Sequence, residues 1–203
     1  RQARPVPATI GNGLLLPVPD EYYYVDIAID YGVKHAYLYE VYPWAMLEEG
    51  QKTNVYTPPF YQSARVKQHV KRFEDRGLNV EFYFGASFST RNPEFKHFGD
   101  EMVWVPRYPS SYESFVVCNN SPSQDMKVDG IKRSIETYGM DGLLMDHVIH
   151  TWPCQHAEHG CGYLDERGQL RPVFNIFAAR ETAKRIYALF HGSQKPLQTP
   201  GHV

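Results

Sequence analysis

The sequence predicts an α/β domain of the (β/α) TIM-barrel type, in partial or truncated form. Three observations lead there. Amphipathic helices alternate with short apolar strands, the order expected of a parallel sheet built from crossovers. The strands fall roughly 40 residues apart and no glycine-rich phosphate loop is present, which favours a barrel over a doubly wound sheet. The chain has 203 residues and about five strands, whereas a complete barrel typically takes about 250 residues.

The elements follow in order. Pro5, Pro7, Pro17 and Pro19 with Gly11 and Gly13 make residues 1–19 an extended lead-in. Asp20 is a good N-cap for a helix carrying Tyr24, Ala28 and Tyr31, stopped by Gly32. Lys34 to Val41 reads as a strand ended by Pro43. Val66, Val70 and Phe73 fall at i, i+4 and i+7 in a helix over Tyr61 to Arg76, with Gly77 as its stop. Leu78 to Phe84 is the next strand, and Gly85 to Arg91 reads as a loop of small residues. Met102 to Val105 and Phe115 to Cys118 are further short apolar runs bounded by turn residues. Ser123 is expected to cap a helix whose Val128, Ile131, Ile135 and Tyr138 share one face, up to Gly139. Asp141 to Asp146 reads as a buried strand and His147 to Pro172 as a long loop. Asn175 to Phe190 reads as a helix facing inward with Ile176, Ala179, Ala183, Ile186 and Phe190. This gives one barrel-like domain over residues 20–192 and a tail over 193–203.

Composition narrows the functional classes. Hydrophobic residues at 42% and charged residues at 22% supply a globular core and exclude disordered and fibrous classes. A formal charge of −2 gives no electrostatic footprint for nucleic acid or an anionic membrane. Apolar runs such as Gly13 to Val18 are far shorter than the ~18 residues needed to cross a bilayer. The 15 tyrosines offer flat faces with a hydrogen-bonding rim, suited to sugar or aromatic ligands, although tyrosine also lines ordinary strand surfaces.

In parallel α/β folds the working groups project from the carboxyl ends of strands. The polar residues at those ends are Glu40, Ser87 and Ser89, Cys118 with Asn119 and Asn120, and Asp146 with His147. A Glu and an Asp on different strand ends suit glycoside hydrolysis, in which one carboxyl protonates the leaving oxygen while the other attacks or activates water. Such acids also serve as caps and ion-pair partners.

His147, His150, His156 and His159 lie close together with Cys154 and Cys161. Cys154, His156, His159 and Cys161 form a candidate ligand set for Zn²⁺ or another transition metal, though not at the spacing of a standard finger. A Cys154–Cys161 disulfide and plain packing roles remain open alternatives. The adjacent Asp165 and Glu166 fit either substrate-assisted glycosidase chemistry or a simple turn, the turn being favoured.

The segments Tyr138-Gly139-Met140-Asp141-Gly142-Leu143-Leu144-Met145-Asp146, Pro153-Cys154, His159-Gly160-Cys161-Gly162-Tyr163-Leu164-Asp165-Glu166-Arg167-Gly168, and Arg171-Pro172 through Arg180-Glu181 resemble a family of bacterial glycoside hydrolase domain-containing proteins. That family is similar to the barrel of the β-N-acetylgalactosaminidase-like glycosidases. The match is strongest over residues 115–190. The resemblance implies a TIM-type barrel, carbohydrate-related activity, a secreted or periplasmic location and further domains in a longer parent chain. His147 and His156 depart from the family pattern.

The leading expectation is therefore a glycosidase-like protein acting on an oligo- or polysaccharide without a cofactor. Asp146 and Glu40 would be its carboxyl pair, Tyr39, Tyr42, Trp44 and Trp152 its stacking platforms, and His147 and Asn119 its donors to sugar hydroxyls. The alternative is a metal-dependent enzyme or metal-binding module using the Cys/His-rich loop. A non-catalytic carbohydrate-binding remnant is the third.

Overall fold

The computed structural model describes residues 22–38, 64–84, 87–89, 93–103, 114–145, 149 and 151–192. Helix α1 (Tyr22–Asp30) leads into strand β1 (His35–Leu38), and α2 (Ala64–Glu74) leads into β2 (Asn79–Phe84). The two helix-to-strand turns share one construction. Gly32 and Gly77 adopt φ of 82° and 77°, which a residue bearing Cβ adopts only at a cost. The next residues, Val33 and Leu78, donate back to Ala28 O and Phe73 O, closing the carbonyls that each helix end would leave open. The same short motif thus delivers both strands to one sheet.

That sheet has the order β1-β2-β5, with β5 spanning Gly142–Met145, and both pairings are parallel. His35 is level with Asn79 and Leu38 with Phe82, while Glu81 is level with Gly142 and Phe84 with Met145. The alternation of side chains gives the sheet two unlike faces. Ala36, Val80, Phe82, Phe84 and Leu143 enter the main core, where they meet Val70 and Phe73 of α2, Ile131 and Tyr138 of α4 (Ser123–Tyr138) and Ile186 and Phe190 of α5 (Ile176–Gly192). His35 and Glu81 lie on the opposite face and are both buried. Each fully buried Phe contributes about 1.5–3 kcal/mol, so the helix-facing side supplies most of the cohesion.

Between β2 and α4 the chain departs from the sequence expectation. The predicted loop after β2 contains β3 (Ser87–Ser89), antiparallel to β4 (Ser114–Val116). Met102 and Val103, read as the start of a strand, instead close the helix α3 (Pro93–Met102) and form a single bridge from Val103 to Val117. Pro93 suits the first helical turn, where its missing N–H is no loss. Phe95 stacks on Phe115 with centroids 5.7 Å apart, which fastens this helix over the short ribbon.

Two end effects also differ from expectation. Pro122, not Ser123, occupies the N-cap of α4. Ser123 is buried in the first turn and donates its hydroxyl to Cys118 O at 2.9 Å. Ile176, expected inside, is 63% exposed, and the inward stripe of α5 is Ala179, Thr182, Ile186 and Phe190. The stripe begins one turn later because the first turn of α5 extends past the core it packs on.

The predicted long loop after β5 also contains order. It holds β6 (Pro153–Cys154), which pairs with β9 (Val173–Phe174) just beyond the loop, a 3-10 turn at Ala157–His159, and the hairpin of β7 (Tyr163–Leu164) with β8 (Leu170–Arg171). Among the described residues the strands form this three-stranded sheet and three two-stranded ribbons, without closure into a barrel. The lead-in over 1–19 and the tail over 193–203 lie outside the described residues.

Candidate functional site

Four side chains that can ligate a metal converge beside α3. Cys118 follows β4 and is fixed there by its own N–H, which donates to Met102 O at 2.8 Å. Cys154 ends β6. His159 ends the 3-10 turn, and Cys161 follows Gly160, whose φ of 65° turns the chain back. The ligand atoms of Cys118, Cys154, His159 and Cys161 all lie within 4.8 Å of one another, and all four residues are buried. The Sγ atoms of Cys118 and Cys161 are 3.8 Å apart, and Cys154 Sγ is 3.4 Å from His159 Nδ1.

Each sulfur has N–H donors near it, and Cys161 Sγ also lies 3.5 Å from Asn175 Oδ1 and 3.7 Å from His159 O. Cys118 Sγ accepts from Asn120 N–H at 3.3 Å and from Asn175 Nδ2 at 3.0 Å. Asn175 Nδ2 also reaches Cys161 Sγ at 3.2 Å, and His156 N–H reaches Cys154 Sγ at 3.5 Å. Hydrogen bonds to sulfur favour the thiolate. Burial works against them, pushing the Cys118 and Cys154 thiols up, with the Asn120 and His156 amides opposing. His159 Nε2 meets Glu101 O. That contact assigns the ring hydrogen to Nε2 and leaves the Nδ1 lone pair facing the sulfurs. Burial holds the His159 pKa below its ordinary value, the Glu101 contact opposing, so the neutral ring is favoured.

Against the sequence expectation, the four-ligand group takes in Cys118 and leaves out His156. The His156 ring stacks on His159 with centroids 4.4 Å apart. Cys118 was visible in the sequence only as a strand-end cysteine beside Asn119 and Asn120, with no local partner, because its partners lie about 40 positions onward. The Cys154–Cys161 disulfide left open by spacing is not formed: none of the three cysteines is bridged.

Asn119, expected to meet a sugar hydroxyl, is buried with its Oδ1 accepting from Lys127 Nζ at 3.0 Å. Lys127 is itself fully buried, and desolvation lowers its pKa to about 8, with the charge of Cys118 opposing. Trp152 is partly buried. Asp165 accepts from the N–H groups of Arg167 and Gln169 at 2.9 and 2.8 Å and from Arg171 Nε at 2.8 Å. Those three bonds account for the carboxylate as a turn device. Tyr39, Glu40, Tyr42, Trp44, Asp146 and His147 lie outside the described residues.

On the sheet face opposite the main core, His35 Nδ1 is 2.9 Å from Glu81 Oε1. Burial lowers the His35 pKa, Asp141 opposing and Lys34 assisting. Sequence reading missed Glu81 because a lone acid inside a strand, in LNVEFYF, carries no pattern of its own.

Comparison with known proteins leaves the family open. No protein-family model matches the chain, and no curated protein matches it. Solved structures with partial similarity include glycosidases. The α-L-fucosidase isoenzyme 2 from Paenibacillus thiaminolyticus is 15% identical with a TM-score of 0.46, over 68% of this chain and 22% of that one. The GH36 α-galactosidase AgaB from Geobacillus stearothermophilus is 13% identical with a TM-score of 0.46, over 84% and 23%. An α-galactosidase from Lactobacillus brevis is 12% identical with a TM-score of 0.42, over 83% and 22%. The chain thus spans less than a quarter of the length of these enzymes. At this level of similarity they assign neither fold nor activity to it.

Proposed function

We propose that the chain is part of a (β/α) barrel of glycosidase type, hydrolysing an oligo- or polysaccharide by carboxylate acid/base chemistry with Asp146 as a principal group. The observation that carries this reading is the two-faced parallel sheet β1-β2-β5. One face is the apolar core under the helices and the other holds buried polar groups, His35 and Glu81. A barrel sheet presents its second face to the interior, and its chemistry gathers where the strands end. Gly142 is level with Glu81. If the period-2 alternation of β5 ran one residue past Met145, Asp146 would fall on the polar face, which supports its choice.

Glu40 is proposed as its partner from the end of β1. Strands β1 and β5 flank β2, and strand spacing of about 4.8 Å sets them roughly 9.5 Å apart. That span suits two carboxyls with a water between them, the inverting arrangement, better than a direct nucleophile. Ala36 and Leu38 alternate with His35, so Glu40 reaches the polar side only if the chain leaves strand geometry after Leu38, where β1 ends. The resemblance of residues 115–190 to glycoside hydrolase domain-containing proteins supports the same reading. A secreted or periplasmic setting and further domains in a parent chain belong to this proposal.

The test is hydrolysis of a panel of aryl glycosides by the chain and by its Asp146→Asn variant. Wild-type turnover that falls by about 10²–10⁴-fold in the variant, with an unchanged melting temperature, is the expected result. Turnover unaffected by the substitution would remove Asp146 from the chemistry, and sugar binding without turnover by the wild-type chain would favour a non-catalytic remnant.

A further inference from the structure

We infer that Cys118, Cys154, His159 and Cys161 form a structural Zn²⁺ site of the three-cysteine, one-histidine class. The ligand types are those of a closed zinc site, soft sulfur with one imidazole. The geometry agrees. With zinc–sulfur bonds of about 2.3 Å and a zinc–nitrogen bond of about 2.05 Å, the edges of a tetrahedron are ~3.8 Å between sulfurs and ~3.6 Å between sulfur and nitrogen. The Cys118–Cys161 separation of 3.8 Å and the Cys154–His159 separation of 3.4 Å are edges of that size. The other separations are within 4.8 Å, so an ion would draw the remaining donors inward by about 1 Å at most to complete the tetrahedron.

The supporting contacts are also those that such an ion requires. His159 offers Nδ1 because Nε2 is engaged by Glu101 O, the arrangement that fixes a metal-ligating imidazole. Backbone N–H groups two residues after Cys118 and Cys154, those of Asn120 and His156, point at the two sulfurs. Asn175 Nδ2 bridges the sulfurs of Cys118 and Cys161. A neutral thiol needs none of these donors, whereas three thiolates crowded in a buried site need both donors and a cation.

The site is structural. Four protein ligands complete the tetrahedron and leave no position for water or substrate. Its ligands come from just after β4, from the end of β6 and from the loop between β6 and β7, with Glu101 of α3 and Asn175 before α5 holding them from behind. The ion would therefore fasten the loop after β5 to the α3–β4 unit. This is a different role from that of a metal-dependent enzyme, and it is independent of the glycosidase reading.

The test is metal analysis of the 203-residue chain purified without added metal, combined with thiol titration in the native state and cobalt substitution. The expected result is one equivalent of zinc per chain, three thiols that react only after chelation and denaturation, and a Co²⁺ form with the intense visible absorption of a tetrahedral thiolate site. Cys118→Ser should lower zinc to well below half an equivalent. His156→Ala should keep the full equivalent, and His159→Cys should keep it in a four-cysteine site. Substoichiometric zinc in the folded wild-type chain, with three freely reactive thiols and no thiolate band after Co²⁺ addition, would overturn the assignment. So would zinc that is lost with His156 and retained without Cys118.

Discussion

Cys118 Sγ and Cys161 Sγ lie 3.8 Å apart, although 43 residues separate them in the chain. Their approach brings the end of β4 against a loop that has little core of its own: Tyr163, Leu164, Leu170 and Phe174 are all exposed. Removing a ligand should therefore loosen a region, not one contact. Cys118→Ser is expected to cost about 4 kcal/mol or more, the range reserved for lost metals and broken buried networks. Amide hydrogen exchange should show protection lost over residues 151–175 before β2 is affected.

The turn at Asp165 predicts the opposite pattern. Its carboxylate holds the β7–β8 hairpin through Arg167, Gln169 and Arg171, and these bonds, the Gln169 amide foremost, keep its pKa below the ordinary carboxylate value. Asp165→Ala should raise hydrogen exchange in residues 163–171 while leaving aryl glycoside turnover unchanged. A loss of turnover matching that of Asp146→Asn would transfer the chemistry to the hairpin.

Acid should destabilise the fold through two buried histidines. Burial lowers the folded pKa of His35 and of His159 below the value of 6.5 that each has when unfolded. The unfolded chain therefore binds protons first as pH falls. Their contribution is fully present above about pH 6.5 and is lost progressively below it, by at most about 1.4 kcal/mol per pH unit for each proton. Zinc ligation of His159 would act in the same sense. Urea midpoints between pH 5 and 8 check the direction, and His35→Gln should flatten the slope.

Gly77 offers a purely conformational test. Its φ is +77° and nothing lies within 4 Å of where a Cβ would stand. Gly77→Ala should cost roughly 1 kcal/mol from the left-handed backbone alone. The expected loss appears in the urea midpoint without any change in zinc content.

These cases mark how far the sequence could be read. Helices with an uninterrupted apolar stripe, such as the one bearing Val128, Ile131 and Tyr138, were legible, as were the strands feeding from Gly32 and Gly77. Helix α3 was not, because Pro93 and Gly99 disguise the spacing of Phe95 and Met102. At the candidate metal centre, Cys154, His159 and Cys161 were legible because they share one loop. Cys118 was hidden, since a ligand brought in by tertiary structure leaves no spacing to recognise. His156 is close to the other ligands in sequence, but as the residue that caps the 3-10 turn it stacks its ring on His159 instead.

The proposed carboxyl pair carries its own geometric expectation. A crystal structure should place the Glu40 and Asp146 carboxyls ~6.5–9.5 Å apart, and the product anomer followed by proton NMR should be inverted. A separation above about 10 Å would exclude the pair, and one near 5.5 Å with retention would recast one of them as a nucleophile.

The most direct measurement of the proposed chemistry is aryl glycoside hydrolysis by Asp146→Ala, with and without sodium azide. With Asp146 as the base that activates water in the inverting pair, the reading predicts that the variant is inactive alone and that azide, which needs no base, restores turnover and appears in a glycosyl azide product. An Asp146→Ala chain that hydrolyses the glycoside at the wild-type rate without azide would contradict it.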